Sequence, residues 1–325
     1  MKAIVHNVYG DADVLHLDDV PTPTIKPRQV LVHVHAAGVD RGAWHAMTGL
    51  PTVARLGFGL RKPRQRTPGL DLAGVISAVG DQVTDFKVGD EVFGEGSSSW
   101  AEYARANPVR LIHKPAHLSF DQAAVIPTSG ATALHMLTPS TGPGRAVLVI
   151  GAGGGVGSFA VLLAKARGDT VTAVCSTAKI EAVHGFGADR IIDYTREPLT
   201  GSYDLIVDIA GNRPLAFLRT LLKPRGVLSI AGGENGGRFF GGLERNLKAL
   251  AVSPFLKQTL RAPIVIADRE DLAALTSIAS PLERTYPLAE ASTAMHRLAT
   301  GGVAGKLALI IEPTYRGLAA PGELE

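Results

Sequence analysis

The stretch Val147–Gly168, VLVIGAGGGVGSFAVLLAKARG, constrains the fold of this chain more than any other. A short apolar run, Ala146–Ile150, leads into Gly151-Ala152-Gly153-Gly154-Gly155-Val156-Gly157, and a helical pattern follows over Val156–Arg167. An unbroken apolar run that short reads as a strand buried in a parallel sheet. The glycines permit a tight turn and close backbone approach to a pyrophosphate. The helix start adds unpaired N–H groups and the positive end of its dipole. A glycine motif alone is a weak signal, and a flexible turn between two elements is the plain alternative. Strand, loop, helix and a second strand in that order favour a dinucleotide. Gly151, Gly154, Gly155, Val156 and Gly157 are therefore expected to bind it.

The same alternation continues downstream. Thr170–Cys175 reads as the next strand and Ala178–Phe186 as the next helix, with strands at Arg190–Asp193, Leu205–Ile209 and Val227–Ala231. Alternating elements at this spacing predict a doubly wound parallel sheet. Upstream, Phe120–Leu137 has helical spacing, and the first third is β-rich. Strands are expected at Lys2–Val5, Val30–His35 and Leu72–Val79, with turns at Gly80-Asp81 and Gly89-Asp90, as in a compact barrel or sandwich. Near the end, a helix over Leu288–Leu298 and a strand over Lys306–Ile311 lack a core of their own and are expected to pack back on the first domain. The predicted organisation is a β-rich domain of residues 1–122 and 263–325 around a dinucleotide domain of 123–262. From Pro313 the periodicity is lost and a disordered terminus is expected. No apolar run reaches the length of a membrane span, and the N-terminus has no secretory h-region. A net charge of +3 is too small to argue for nucleic acid.

The second strand indicates which nucleotide. Strands that select NAD end in Asp or Glu, which accepts from the ribose 2′-hydroxyl. Here the strand ends Val174-Cys175-Ser176-Thr177-Ala178-Lys179, without a carboxylate. Ser176 and Thr177 can donate hydrogen bonds and Lys179 supplies positive charge, so NADPH is the expected cofactor. Cys175 is the one cysteine, which excludes a disulfide within the chain and a Cys-rich zinc site, and it reads as a small buried hydrophobe. A reducing, cytoplasmic compartment is expected.

Four further segments, Ala37–Asp40 (AGVD), Pro68–Gly74 (PGLDLAG), Val88–Gly94 (VGDEVFG) and Gly305-Lys306, give the chain a family likeness. It resembles the medium-chain dehydrogenase/reductase superfamily, in its zinc-independent quinone oxidoreductase-like branch. The resemblance implies an α/β protein: a Rossmann-type doubly wound parallel sheet plus a β-rich, barrel-like (GroES-like) catalytic domain, with the site in the cleft between them. It implies NADPH-dependent reduction of a small-molecule quinone or α,β-unsaturated carbonyl compound. It places Thr128 and Thr132 beside the nicotinamide and Tyr194 near the adenosine phosphate, and it marks Lys306 as a cofactor residue. Asn212, after the strand ending at Ala210-Gly211, lies where the ribose or nicotinamide half should pass. The Cys/His/Glu/Cys pattern of the zinc alcohol dehydrogenases is not met. Asp40, Leu70 and Asp71 take three of those places, and no cysteine lies near Thr128-Ser129. No metal is expected.

Reduction of an activated C=C bond or a quinone needs positioning, stabilisation of negative charge and a proton. Asp40 stands where the branch usually has Asn, and His45 where some members have Tyr. Asp40 can orient a neighbour or water, and His45 is a candidate proton donor whose plain alternative is a packing histidine. Trp44 is a candidate substrate wall or a core residue. Phe239 and Phe240, within the basic stretch Arg238–Arg261, are candidate walls of an apolar substrate pocket. That stretch and Arg55–Arg66 read first as solvated loops and second as lids. His33, His35, His113 and His117 read as structural. Ala262–Ala267 (APIVIA) is a candidate edge strand pairing two copies, a common arrangement in the superfamily, so a homodimer is expected. The competing reading is a non-catalytic NADPH-binding redox sensor, or a module that binds RNA or a protein partner.

Overall fold

The computed structural model describes residues 1–138, 144–233 and 236–311. The expected disordered terminus from Pro313, and with it the end of the 263–325 segment, lies outside the described residues. Six strands come from the first part of the chain: β1 (Lys2–Val5), β2 (His16–Asp19), β3 (Val30–Val39), β4 (Asp71–Val79), β5 (Glu91–Ser97) and β6 (Tyr103–His113). The short helices α1 (Arg41–Thr48) and α2 (Arg55–Phe58) lie between β3 and β4. After α3 (Phe120–Ala124) and α4 (Pro127–Leu137) come β7 (Ala146–Ile150), α5 (Gly155–Ala166), β8 (Thr170–Cys175), α6 (Ile180–Gly185), β9 (Arg190–Asp193), β10 (Tyr203–Asp208), α7 (Leu215–Thr220), β11 (Leu222–Ile230), α8 (Leu243–Val252) and β12 (Thr259–Arg261). The chain closes with α9 (Arg269–Leu275), β13 (Leu282–Pro287), α10 (Ala291–Ala299) and β14 (Lys306–Ile310).

Two six-stranded sheets result. β7–β12 form one in the order β12-β11-β10-β7-β8-β9. Every pairing in it is parallel, as the apolar runs required. The other runs β13-β14-β3-β4-β5-β6, and an added β3–β6 pairing curls it into a partial barrel. In β3, Val30, Val32 and Val34 are buried with half-buried residues between them, the period-2 pattern of a strand with one face on a core. β14 pairs antiparallel with β3, so this late strand joins the barrel sheet and brings Lys306 with it. Ala36, Ala73 and Phe93 of the barrel share a buried cluster with Met136, Val147 and Phe159, which joins the two layers.

Two local expectations change. Phe120–Leu137 is not one helix. Pro127 lacks an N–H and starts a new helix as its first residue, so α3 and α4 are separate. Nor is Ala262–Ala267 a strand: the sheet ends at β12, and Pro263 interrupts the segment beyond it.

Candidate active site

A cleft opens at the C-terminal ends of β7, β8, β9 and β10. It is walled on one side by the glycine loop and on the other by Asp40, Arg41, Thr128 and the segment around Gly305-Lys306. Gly151 has φ +88, a left-handed conformation that turns the chain sharply out of β7. Gly154 caps α5. A Cβ on Gly157 would lie 2.1 Å from the Gly151 carbonyl oxygen, so only glycine lets the helix sit this close to the loop. Gly151, Gly154, Gly155 and Val156 line the cleft, whereas Gly157 supports it from behind. The free N–H groups of the first turn of α5 face an open site, a ready cradle for a pyrophosphate.

Ser176, Lys179, Tyr194 and Asn212 also line the cleft. The aliphatic stem of Lys179 lies against the loop: a Cβ on Gly153 would meet its Cδ at 2.6 Å. Thr177 is occupied elsewhere. Its hydroxyl donates to Asp193, and Thr195 donates to the same carboxyl at 2.7 Å. These bonds hold the Asp193 carboxyl below the usual carboxylate range, and Asp193 does not line the cleft. Sequence reasoning missed Arg213, which lines the cleft with its guanidinium 5.9 Å from the Tyr194 ring centre. With Lys179 it gives this part of the cleft lining two cations, a setting for a phosphate. The signal was present one residue beyond Asn212.

The opposite wall carries the chemistry. Pro127 opens α4, so the Thr128 N–H in the first turn has no partner within the helix. It donates to both oxygens of Asp71, at 3.1 and 3.2 Å, and the Thr128 hydroxyl donates to the same carboxyl at 2.5 Å. Asp71, the first residue of β4, is completely buried. Burial, and then the neighbouring Asp40 carboxylate, push its carboxyl up to about 8 against the opposing pull of Lys306 and Thr128. Lys306 Nζ lies 3.9 Å from Asp71, buried and without a hydrogen-bond partner. A Cβ on Gly155 would meet the Lys306 stem at 2.8 Å, so this ammonium sits between the helix start and the buried acid. An unsatisfied buried donor in a cleft is the kind of group a ligand completes. The glycine cradle, Lys306, and the Lys179–Arg213 pair thus fit a phosphorylated dinucleotide. Asp71 entered the sequence reading as a motif letter and a vacated zinc position; its proton-holding role was not legible there.

Asp40 lines the cleft as a helix cap. Its Oδ1 accepts the Ala43 N–H at 2.9 Å, while Oδ2 is buried and unpartnered. His45, one turn on, does not line the cleft: its Nδ1 bonds the Leu50 carbonyl at 2.5 Å, and burial lowers its pKa. Trp44 packs against the barrel core with Arg41 at 5.4 Å from its ring centre. Thr132 donates back to the Thr128 carbonyl at 2.7 Å within α4 and does not reach the cleft. Phe239 and Phe240 are exposed and stack edge-on, and their loop is stitched to residues 52 and 53 through the Arg238 and Phe239 carbonyls rather than lining the cleft. His33 and His35 pack on Tyr103 and Phe120, and His113 on Phe86. Among the described residues no three His, Cys, Asp or Glu side chains gather as metal ligands would. Asp71 is bound to Thr128, Asp40 caps a helix and Leu70 is apolar, so the donor set does not fit a tetrahedral zinc.

A parallel sheet ending in a phosphate cradle, facing a barrel that presents a buried acid and a lysine, defines a dinucleotide-dependent oxidoreductase. Two family models match: the alcohol dehydrogenase GroES-like domain over residues 26–142 and the zinc-binding dehydrogenase over 186–309. The chain is 35% identical over 251 residues to human quinone oxidoreductase, covering 71% of this chain and 73% of that protein. It is 37% identical to a chloroplastic NADPH-dependent alkenal/one oxidoreductase of Arabidopsis thaliana, covering 65% of this chain and 58% of the other. The solved quinone oxidoreductase of Coxiella burnetii superposes with a TM-score of 0.82 at 28% identity, over 96% of this chain and 99% of that one. The chain belongs to the medium-chain dehydrogenase/reductase superfamily, in its quinone oxidoreductase-like branch, and is an oxidoreductase.

Proposed function

We propose that the enzyme transfers a hydride from NADPH to a quinone or to the β-carbon of an α,β-unsaturated carbonyl compound, without zinc. One observation carries the reading. Thr128 lines the nucleotide cleft and is bonded, behind it, through its N–H and its hydroxyl to the fully buried carboxyl of Asp71, whose pKa burial pushes up to about 8. NADPH, which would supply the hydride when bound, is supported by Lys179 in the cleft lining, by Arg213 beside Tyr194 and by the engaged Asp193. The first turn of α5 holds the pyrophosphate, while Asn212, Lys306 and Thr128 receive the nicotinamide half. Hydride arrival at carbon leaves negative charge on the substrate's conjugated oxygen. In the protonated acid the bond between them reverses: Asp71 donates to the Thr128 oxygen, which frees the Thr128 hydroxyl to pass its own proton to the reduced substrate and take the Asp71 proton in its place. Asp40 is a positioning residue: it caps α1, and its charge helps keep Asp71 protonated. His45, turned to Leu50, takes no part in the proton transfer. Metal ligation enters no step. The enzyme works as a homodimer in a reducing, cytoplasmic compartment.

The test is NADPH oxidation against quinones, enones and simple aldehydes with a strong chelator present and NADH in parallel. Chelator-insensitive turnover of quinones or enones, giving saturated ketones rather than alcohols, is expected. NADPH binding without turnover of any of them would replace this reading with the redox-sensing module. Aldehyde reduction abolished by chelator would restore a metal mechanism.

A further inference from the structure

A second cavity, of about 560 Å³, meets the nucleotide cleft at Thr128. Its wall combines apolar Leu70, Val265 and Ile266 with the basic side chains of Lys26, Arg105 and Arg110. The one acid in this lining, Glu95, is already engaged: one oxygen takes Arg110 at 2.8 Å and the other accepts the Ala267 N–H at 3.4 Å. Lys26 and Arg105 form no ion pair among the described residues. Arg105 is half-buried near the start of β6, flanked by Leu31 of β3 and Ser97 of β5, so its backbone is fixed. Ser97 and Arg105 also line a further cavity of about 470 Å³, which adds Arg64 and Arg66 and no acid. Apolar side chains and cations without a counter-charge thus line one cavity that shares Thr128 with the nucleotide cleft. A ligand with an alkyl segment and an anionic end complements that lining. Arginine forks bind carboxylate and phosphate oxygens, and a cleft of one charge sign concentrates ligands of the other.

We propose that the natural substrate carries an anionic tail, a carboxylate or a phosphate, which this basic cavity seats while the electrophilic carbon lies at Thr128. The inference rests on the reading of Thr128 as the reacting end of the cleft, and it names the substrate class within that reading.

The test compares three straight-chain enones on the full-length enzyme: nonenone ending in methyl, and the same chain ending in carboxylate or in phosphate monoester. A charge-assisted contact corresponds to roughly tenfold or more in kcat/KM. We expect at least one anionic enone to exceed the methyl enone by about tenfold, with the advantage shrinking as salt is raised. Whichever of the two is favoured identifies the tail. Arg105→Ala should bring the ratio toward one and Arg105→Glu should invert it. The exposed Lys26→Glu, on a loop, should lower it without the folding risk of a strand residue. Equal kcat/KM for all three chains in the wild type, or a preference untouched by these changes, would overturn the inference and leave the alkene-reductase reading intact. If no enone turns over, that reading fails. Calorimetry with the saturated carboxylate and phosphate ketones on the NADP-loaded protein then decides the tail alone: binding lost in Arg105→Glu sustains it, and no binding overturns it.

Discussion

A carboxyl group shut away from water beside a second carboxylate keeps its proton well past the usual range, and Asp71 is such a group. The charged groups that face it are Asp40, Lys306 and Glu95. If Asp71 refills Thr128, kcat should fall as pH rises through about 8. Asp71→Asn should remove that limb and lower kcat by roughly a hundredfold, the usual scale of general acid catalysis. A pH profile of both enzymes checks it, and an unchanged limb in the variant would reassign the proton. The same shift has a stability sign. In the unfolded chain this aspartate ionises near its ordinary value, about 3.9, whereas the folded protein holds the proton to about 8. The unfolded state then binds fewer protons, so stability should decline as pH rises through that window. Thermal melts across it should show a shallower decline in Asp71→Asn. On the opposite wall, Lys179→Ala and Arg213→Ala should each raise KM for NADPH by about tenfold, the worth of one charge-assisted phosphate contact. KM for NADH should move little, since it lacks the 2′-phosphate. Equal effects on both cofactors would place the phosphate elsewhere.

Among the elements, the β7–α5 turn is the one whose sequence and geometry agree most closely. Gly157 faces the Gly151 carbonyl where a methyl group would be 2.1 Å away, against the backbone of Gly151 and Ala152 with no flexible side chain to yield. Gly157→Ala should force α5 off the loop, cost about 1–3 kcal/mol as overpacking does, and weaken NADPH binding more than it lowers the melting temperature. Fluorescence titration with NADPH and thermal melts on the same preparation measure the two effects. The start of α4 shows the opposite relation between sequence and structure. Ala-rich helical spacing over Phe120–Leu137 hides a break at Pro127, and that break frees the Thr128 N–H for Asp71. Local periodicity records side-chain spacing; it does not record which backbone donors a proline exposes.

At the scale of the molecule, β12 leaves one edge of the parallel sheet unpaired, and the chain beyond it presents Ile264 at 97% exposure and Ile266 at 58%. An exposed strand edge beside large apolar side chains is the kind of surface through which a second copy, turned by a two-fold axis, would pair. The chain should therefore sediment as a dimer, and Ile264→Glu should shift it toward monomer without lowering its melting temperature. A wild-type monomer at micromolar concentration would exclude this interface. No helix among the described residues is long and apolar enough to cross a membrane.

The glycine loop, the alternation of apolar runs and helices, and the missing acid after β8 were readable because each is a local rule: backbone freedom, burial period and charge at one strand end. From these came the parallel sheet, the nucleotide site and the expectation of NADPH. The other wall of the cleft was decided by the tertiary structure. Asp71, Thr128 and Lys306 lie far apart in the chain, and their joint behaviour exists only because β14 returns beside β3 and α4 starts over β4. The same folding turned His45 to the Leu50 carbonyl, Trp44 onto the barrel core and Phe239 and Phe240 outward, so residues plausible by type alone did not reach the cleft. A proton affinity depends on what burial removes and which charges draw near, and both are set by contacts between segments that the sequence does not place side by side.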